Sequence, residues 1–417
     1  MKTIQKIGCI IAALILTGMF FVPETIGLSV SGIRTLGVLL AVIVLLVTEP
    51  FPLGVVCLLS VALLTFTGAV PNVSAALSGF TNHILFFVLV SFAISAAFTK
   101  GTLSKRLLLR FVNLFGKKIE PLLLALLFSA ALLSSIMSNV ATTALFIGMT
   151  KDLISAYPTE EERRRSGRTF MIGLPIACII GGMMTPAGNP INLIVIDALA
   201  NAGIRLTFVQ WMAIGVPIAL VSLLLLWLLL KKIYPPAPLP EENLDAYLAS
   251  FDVPDRMNGK EKYVCTVLFV TILLWIAGSW IAELNITVVG IFSFFFLLLP
   301  KYGVLSWEDF ISHVSWPAFF LIGSMVTFGN ALTASGVGQW FVKTCFPAVL
   351  PHSQTLVVFL LAASVSLLLV AIPITPALVT MLTAPFLAMA SSWNISPVLP
   401  LMTLILCAVN SLHLPLD

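Results

Sequence analysis

Two short polar stretches interrupt otherwise apolar segments of this chain, and both contain side chains that can bind ions. The first is Ser138–Thr143, with the sequence SNVATT, and the second is Thr185–Asn192, with the sequence TPAGNPIN. Amides and hydroxyls are costly at membrane depth unless they meet a partner, a ligand or water. The two stretches therefore predict a binding site within the membrane.

Breaks in membrane helices would let these stretches bind an anion and a cation without a buried formal charge. The N-terminal end of a half-helix carries unpaired N–H donors and partial positive charge, which suits an anion. The C-terminal end and unwound carbonyls suit a small cation. Asn139, Asn189 and Asn192 lie beside Gly and Pro breaks and are interpreted as functional. Most other Ser, Thr, Pro and Gly residues are interpreted as kinks, or as hydroxyls that bond back to their own turn.

The composition predicts an all-α polytopic membrane protein. Of the 417 residues, 59% are hydrophobic and 10% are charged, and the mean hydropathy is +1.09. These values exclude a soluble globular protein, and the apolar runs are long enough to span a bilayer. The six cysteines lack CxxC spacing and the four histidines are scattered, so we predict no cofactor and no metal cluster of these residues. The net charge of +4 comes from loops beside the membrane and does not indicate nucleic acid.

The basic residues predict the orientation of the chain in the lipid bilayer. We take residues 1–30 as an uncleaved first transmembrane helix and the N-terminus as cytoplasmic. All of the 22 Lys and Arg residues except Arg34, Arg205 and Lys343 then lie on the cytoplasmic side, which follows the positive-inside rule. A signal peptide is the alternative for the N-terminus, but no small-residue cleavage site follows the apolar run. We expect a multi-pass protein of the bacterial inner membrane.

Two pairs of apolar segments, 122–137 with 140–155 and 355–371 with 377–391, each fit either two full spans or one re-entrant hairpin. The orientation above treats both pairs as hairpins, but the charge rule also permits a spanning first pair. The polar tips favour hairpins, because a spanning pair would place those polar residues at the far membrane surface.

The chain contains two similar halves that enter the membrane from opposite faces. Leu85–Gly101 and Phe320–Gly336 are each an apolar span that ends in small residues, and an amphipathic piece, a hairpin and a broken segment follow each. Broken segments in corresponding positions of inverted halves indicate a transporter with its site at the midplane. Because the second broken segment stops at Asp417, we expect a C-terminal truncation. The predicted boundaries are a first helix at 1–30, a first repeat at 31–233 with its hairpin tip at 138–143 and its broken helix at 170–199, a cytoplasmic linker at 234–262, and a second repeat at 263–417 with its hairpin tip at 372–378 and its broken helix from 398.

Three motifs resemble the divalent anion:sodium symporter family. Thr48–Gly54 (TEPFPLG) is similar to the family's TE-x-I/L-P-L-G/P motif, Ser138–Thr142 (SNVAT) to its SNTAT motif, and Gly181–Asn192 (GGMMTPAGNPIN) to its GG-x-G-T-x-x-G-S/T-P-P-N motif. The resemblance runs from about residue 30 to the chain end and is strongest in the first half. It implies an inverted-repeat, elevator-type homodimer with a fixed scaffold and a mobile transport domain. It also implies transport of dicarboxylates, citrate or inorganic anions such as sulfate, with Na+ as the coupling ion.

The resemblance also implies site residues by position. Ser138, Asn139 and Gly188 match the first sodium site, and Asn139 also contacts a substrate carboxylate. The second sodium site falls on Thr375 and Asp417, which are predicted to bind a second cation or a proton. The residues predicted to bind the substrate are Asn139, Thr142, Asn189, Pro190, Thr375 and Pro376.

Three departures from the family pattern leave the coupling ion and the activity open. Val140 replaces a threonine hydroxyl, Thr375–Ala377 replaces the second SNT motif, and Asp417 stands where a small residue is expected. Proton coupling or anion exchange is therefore one alternative to sodium symport, and a non-transporting receptor or scaffold is another. A membrane enzyme is not expected, because the sequence shows no paired acids, HExxH or Ser/His arrangement at membrane depth. His413, close to Asp417, is interpreted as a packed residue.

Overall fold

The computed structural model describes residues 2–24, 27–345, 353–372 and 374–409. These residues form α-helices joined by turns and short 3-10 helices, and no strand occurs among them, so the all-α prediction is confirmed for this part of the chain. The helices of the first half are α1 Thr3–Gly18, α2 Val30–Thr48, α3 Leu53–Phe66, α4 Val73–Ala76, α5 His83–Thr99, α6 Leu103–Phe115, α7 Ile119–Ser134, α8 Asn139–Ser155, α9 Glu160–Gly182, α10 Pro190–Asn201 and α11 Phe208–Ile233. The helices of the second half are α12 Glu241–Ala249, α13 Gly259–Ala277, α14 Ile286–Leu297, α15 Trp307–His313, α16 Trp316–Ala334, α17 Val337–Cys345, α18 Gln354–Ala371, α19 Thr375–Ser392 and α20 Val398–Val409.

Several of the described helices are long and apolar enough to cross a membrane, so the chain is a multi-pass membrane protein. α5 and α6 form a further bent pair, with 72° between the two helices. α7 has 16 residues, which is about 24 Å at 1.5 Å per residue and shorter than a hydrocarbon core of about 30 Å. That length fits the arm of a re-entrant hairpin. Five single helical segments of the described residues meet this criterion of length and hydropathy: Thr3–Phe21, Val30–Thr48, Phe208–Ile233, Trp316–Ala334 and Thr375–Ser392.

The chain divides into two compact units. Unit 1 contains Met1–Leu85, Leu193–Arg205 and Ser315–Asp417, and unit 2 contains Phe86–Asn192 and Leu206–Val314. Each unit therefore combines residues from both predicted repeats.

In unit 2, α7 and α8 are the two arms of the predicted first hairpin. α7 ends at Ser134 and α8 begins at Asn139. The polar residues after Asn139 thus form the first turn of a helix rather than an extended tip. Within this turn the Thr142 hydroxyl donates to the Ser138 carbonyl at 3.0 Å and the Thr143 hydroxyl donates to the Asn139 carbonyl at 2.8 Å, so both hydroxyls are used inside the helix.

The broken helix predicted at 170–199 corresponds to α9 and α10. α9 begins at a capping box, in which Thr159 and Glu162 satisfy each other's backbone N–H groups. It ends at Gly182, and a short 3-10 turn, Pro186–Gly188, precedes α10. Pro190 starts α10 without needing a partner for an N–H. α9 packs against both α7 and α8, so the break lies beside the hairpin turn.

The bend between α5 and α6 is fixed by Glu261, a buried residue in the first turn of α13, ahead of its apolar part. Its Oε1 accepts from the Thr102 backbone N–H at 3.0 Å and from the Thr102 hydroxyl, and its Oε2 lies 3.3 Å from the Arg106 guanidinium. Burial alone raises the pKa of this carboxyl. The hydrogen bonds from Thr102 and Asn258 and the charge of Arg106 together lower it by more than burial raises it, so the net pKa lies below its ordinary value.

The predicted linker at 234–262 is folded against unit 2 rather than extended. It contains α12, whose Tyr247 hydroxyl donates to the Met149 carbonyl at 3.0 Å. The Tyr157 hydroxyl donates to the Ala237 carbonyl at 3.0 Å, and burial raises the pKa of Tyr157 to about 12. Two buried tyrosines therefore attach the linker to the end of α8 and to the turn that follows it.

In unit 1, α16 packs against the segment that precedes α5. The Thr327 hydroxyl donates to the Ala76 carbonyl at 3.2 Å and accepts from the Gly79 N–H at 3.0 Å. Gly79 permits this contact, because an added Cβ would lie 2.6 Å from Thr327 N. α18 and α19 are the arms of the predicted second hairpin, and α19 packs on α20.

Candidate functional site

The N-terminus of α8 presents uncapped backbone donors. Ser138 is the N-cap residue, and its side chain makes no capping hydrogen bond. The Ser138 backbone N–H donates to the Ser95 hydroxyl at 3.4 Å, which holds the turn against α5. First-turn N–H groups that lack a cap carry the positive end of the helix dipole. This turn is therefore suited to bind an anionic group.

The Asn139 side chain is half-buried and held between α7 and α9. Its Oδ1 accepts a hydrogen bond from the Ser134 hydroxyl at 2.7 Å. Gly182 lies directly against the amide, because a Cβ built on Gly182 would be 2.7 Å from Asn139 Nδ2. Only a residue without a side chain leaves room for the amide there. Ser134 and Gly182 together thus fix the position of Asn139.

Thr185 connects the helix break to the hairpin turn. Its buried hydroxyl donates to the Ser135 carbonyl and accepts from the backbone N–H groups of Ala187 and Gly188, both at 3.1 Å. A hydroxyl has one donor and two acceptor positions, and all three are used here. One side chain therefore satisfies a carbonyl at the end of α7 and two donors of the break.

Asn192 is fully buried at the start of α10 and carries one unpartnered oxygen. Its Nδ2 donates to the Gly182 and Thr185 carbonyls, both at 2.9 Å, which closes the break. Its Oδ1 is buried and has no hydrogen-bond partner within the described part of the chain. A buried acceptor without a partner costs roughly 1–3 kcal/mol. A cation or a water molecule bound to this oxygen would remove that cost.

Three residues predicted for the site surround the same break. Asn189 precedes α10, and its Oδ1 accepts from the Ile191 N–H at 3.1 Å, while Pro190 is the first residue of that helix. Asn189 Nδ2 has no partner among the described residues and remains available as a donor. Gly188 packs against Gly182, since a Cβ on Gly188 would lie 2.6 Å from the Gly182 carbonyl oxygen. The structure thus brings Asn139, Gly188 and the start of α10 to one place in unit 2.

Two positions in the first turn of α8 differ sharply in exposure. Val140 is 78% exposed, whereas Thr142 is 0% exposed. The position at which the family motif has the first of its two threonines is therefore the open one, and valine leaves it without a hydroxyl. Thr142, predicted to bind substrate, instead donates its hydroxyl proton to the Ser138 carbonyl within the helix.

The polar chemistry of this site is entirely uncharged. The ranges Ser134–Thr143 and Gly181–Asn192 contain no Asp, Glu, Lys, Arg or His. An anion would meet backbone N–H groups and amide NH2 groups. A small cation would meet hydroxyl, amide and carbonyl oxygens, which are the donors that hard cations prefer. The arrangement can therefore bind an anion and a hard cation side by side.

The predicted site residues of the second half lie in unit 1. Thr375 begins α19 with Pro376 next to it, and the Thr375 hydroxyl donates to the Ala408 carbonyl near the end of α20 at 3.3 Å. This bond joins the second hairpin to α20 in the way that Thr185 joins the break to the first hairpin. Asp417, predicted for a second cation or proton site, and His413 lie outside the described residues.

Ser134 is a residue of this site that the motifs do not identify. It is one of several serines in an apolar run, and its hydroxyl is the direct partner of Asn139. The signal that could have identified it is its position in the last turn of α7, where the hairpin folds α8 back towards it.

Comparison with known families tests what the motifs predict. The model described as the sodium:sulfate symporter transmembrane region matches residues 4–416. The chain belongs to the divalent anion:sodium symporter family. Members of this symporter family are membrane transporters of small anions and not enzymes. The prediction of the family and the prediction that the protein is not an enzyme are therefore confirmed.

Curated relatives from the symporter family cover most of the chain. Dicarboxylate transporter 1, chloroplastic, of Arabidopsis thaliana is 28% identical over 348 residues, which are 80% of this chain and 61% of the relative. Sodium-dependent dicarboxylate transporter SdcS of Staphylococcus aureus (strain USA300) is 25% identical over 370 residues, which are 81% of this chain and 69% of the relative. The chain thus spans less than two thirds of the length of the plant relative.

Proposed function

We propose that this symporter-family chain is a secondary active transporter that carries a small dicarboxylate across the membrane together with Na+. The observation that carries the proposal is the Asn139 amide, held beside the uncapped N-terminus of α8 by Ser134 and Gly182. A carboxylate there would meet N–H donors without a buried Lys or Arg. Binding is then selective for an anion but weak enough for release, which a transporter requires. The names of the relatives favour dicarboxylates over citrate and sulfate.

The same amide links the anion to the cation. We place Na+ at Ser138, Asn139 and Gly188, with the substrate at Asn139, Asn189 and Pro190. An amide has an acceptor oxygen and a donor NH2 group, so Asn139 can contact both ions at once. The unpartnered Asn192 Oδ1 supports the proposal of a cation near the break, because no hydrogen bond within the described residues offsets the cost of burying this oxygen. Binding of either ion would therefore favour binding of the other.

Movement of the site would follow the elevator scheme that the family resemblance implies, in a homodimer of the bacterial inner membrane with a cytoplasmic N-terminus. Support for a moving body comes from close contact of the main chains of α7 and α9. A Cβ added to Gly181 would lie 2.5 Å from Ala131 Cα. In the proposed scheme these two helices would belong to one moving body, because main chains in such close contact leave no room to slide past each other without a clash.

Uptake of labelled succinate into proteoliposomes tests the proposal. Uptake should require an inward sodium gradient, and Asn139→Ala should abolish it. Asn113→Ala, which changes an exposed residue of α6, is the matched control and should transport normally. Uptake driven by a pH gradient in sodium-free buffer would replace Na+ with a proton as the coupling ion.

Two further outcomes would contradict the proposal at different points. Unchanged succinate affinity in both Asn139→Ala and Asn189→Ala would exclude the proposed substrate site. Sodium-dependent binding of succinate without uptake would identify a receptor rather than a transporter.

A further inference from the structure

Asp197 is an acidic residue in an otherwise apolar helix, and it lies outside the site described above. It belongs to the part of α10 in unit 1, within the helix sequence PINLIVIDALAN. Its Oδ2 accepts a hydrogen bond from the Asn82 amide at 3.1 Å. No Lys or Arg side chain pairs with it in the described part of the chain. A carboxylate in a membrane helix needs more compensation than one amide provides.

Asp197 lines a cavity of about 280 Å³ in unit 1. Among the described residues that line this cavity, Asp197 is the one with a titratable side chain, so it is the source of charge in this part of the structure. The remaining lining is apolar except for side chains that carry neutral oxygens. Those side chains are Asn201, Asn330, Thr333, Thr380 and Thr383.

Thr380 supplies an independent sign of a ligand in the cavity. The residue is 1% exposed on α19, and its hydroxyl has no hydrogen-bond partner among the described residues. Thr383, one turn later, bonds to the Val379 carbonyl at 2.6 Å, as threonines in helices usually do. The buried Thr380 hydroxyl does not make this bond to the preceding turn, so its oxygen is available to a ligand.

We propose that Asp197 and Thr380 bind a monovalent cation, Na+, at a site separate from Asn139. One carboxylate carries one negative charge, which a monovalent cation neutralises. Carboxylate, hydroxyl and amide oxygens are all hard donors. A transition metal is disfavoured, because the described residues contain no group of three or more His, Cys, Asp or Glu that could hold one. The proposal concerns cation binding only and does not depend on which anion binds at Asn139.

Sodium-dependent thermal stability of the purified full chain in detergent tests this site. The measurements use Asn139→Ala as the background, because that change weakens the first site, and choline replaces sodium in the reference buffer. Sodium should still raise the Tm of this background. Adding Asp197→Asn should weaken the apparent sodium affinity by about 10- to 100-fold, and adding Thr380→Val should weaken it by about 3- to 10-fold.

Two control substitutions match the chemistry of the test. Asp152→Asn removes an exposed acid at the end of α8, and Thr403→Val removes a hydroxyl that already bonds to the Leu399 carbonyl at 2.8 Å. Both should leave the sodium affinity unchanged. An unchanged sodium affinity in Asp197→Asn would overturn the proposal. An equal loss of Tm in sodium and in choline would also overturn it, because Asp197 would then act only through its hydrogen bond to Asn82.

The transport site at Asn139 and the cation site at Asp197 can be excluded independently of each other. If Asn139→Ala keeps full uptake, the transport site is misplaced. Equilibrium binding of labelled sodium then decides the cavity site, because Asp197→Asn should remove one bound ion per chain whatever other site is occupied. If Asn139→Ala abolishes uptake and Asp197→Asn leaves the sodium affinity unchanged, the transport site stands and only the cavity site is excluded.

Discussion

Gly182→Ala is expected to remove most transport while the fold survives. The added Cβ would lie 2.7 Å from Asn139 Nδ2 and 2.9 Å from Asn139 Cγ, whereas non-bonded heavy atoms pack at about 3.5–4.0 Å. The amide must therefore move by roughly 1 Å, a displacement that costs on the order of 100-fold in a positioned site. This movement also breaks the 2.7 Å bond from Ser134. Succinate uptake should fall by about two orders of magnitude.

The stability cost of Gly182→Ala should be small. The amide is the end of a half-buried side chain that can swing away, and alanine gains up to about 1 kcal/mol over glycine in a helix. Gly181→Ala provides the contrast, because its Cβ would lie 2.5 Å from Ala131 Cα in the main chain of α7. Main chain cannot swing aside, so this change should cost about 1–3 kcal/mol or more. Substitutions at these two adjacent glycines therefore distinguish an effect on the site, at Gly182, from an effect on the stability of the fold, at Gly181.

The assay compares labelled succinate uptake into proteoliposomes with Tm in detergent for each variant. Gly148→Ala on α8 is the control, since beyond the adjacent turns of its own helix no heavy atom of the described residues lies within 4 Å of its added Cβ, and it should match the wild type in both measurements. Combining Gly182→Ala with Asn139→Ala should add no further loss of uptake, because both changes remove the same amide. Wild-type uptake by Gly182→Ala would refute the reasoning. A Tm loss as large as that of Gly181→Ala would assign Gly182 to packing alone.

Three other substitutions test the exposed position at Val140, the helix break that Thr185 closes and the bend between α5 and α6 that Glu261 holds. Val140→Thr should raise succinate affinity in a competition assay by about 3- to 10-fold, the value of one hydrogen bond, and an unchanged affinity would remove this position from the contact. Thr185→Val should lower the Tm by an amount that reflects about 1–3 kcal/mol, whereas Thr185→Ser should not. Glu261→Gln should lower the Tm at neutral pH, because the folded carboxyl has a lowered pKa and stabilises the fold above its ordinary value of 4.5. That stabilisation is lost as pH falls through the lowered pKa, so the Tm difference from the wild type should shrink in acid; a difference independent of pH would contradict this assignment.

The helix break was predictable because prolines, glycine and amides occur where an apolar helix would otherwise continue. α10 begins at Pro190, as that pattern indicates. The start of α8 was less predictable. Hydroxyls such as that of Thr142 can bond either to a ligand or to their own turn, and composition does not distinguish the two. In the structure the Thr142 hydroxyl bonds to its own turn, at the Ser138 carbonyl.

Contacts between residues distant in sequence were not predictable from one chain. Glu261 belonged to a predicted linker, yet its carboxylate binds Thr102 and Arg106 and fixes a bend in the first half. Sequence analysis gave no role to Asp197, because its partner Asn82 lies 115 residues away and the cavity beside it forms only in the folded protein. A single sequence shows each charged residue but not the residues that contact it in the folded protein.

Glycine contacts between α7 and α9 join the hairpin turn to the helix break. Gly181 brings these two main chains together, and Thr185 bonds across the same boundary to the Ser135 carbonyl. At the level of Gly181 the two helices meet main chain to main chain, with no side chain of Gly181 between them. These contacts hold the hairpin turn and the helix break against each other in unit 2. Any substitution that separated the two main chains at this level would therefore displace both elements together, and with them Asn139.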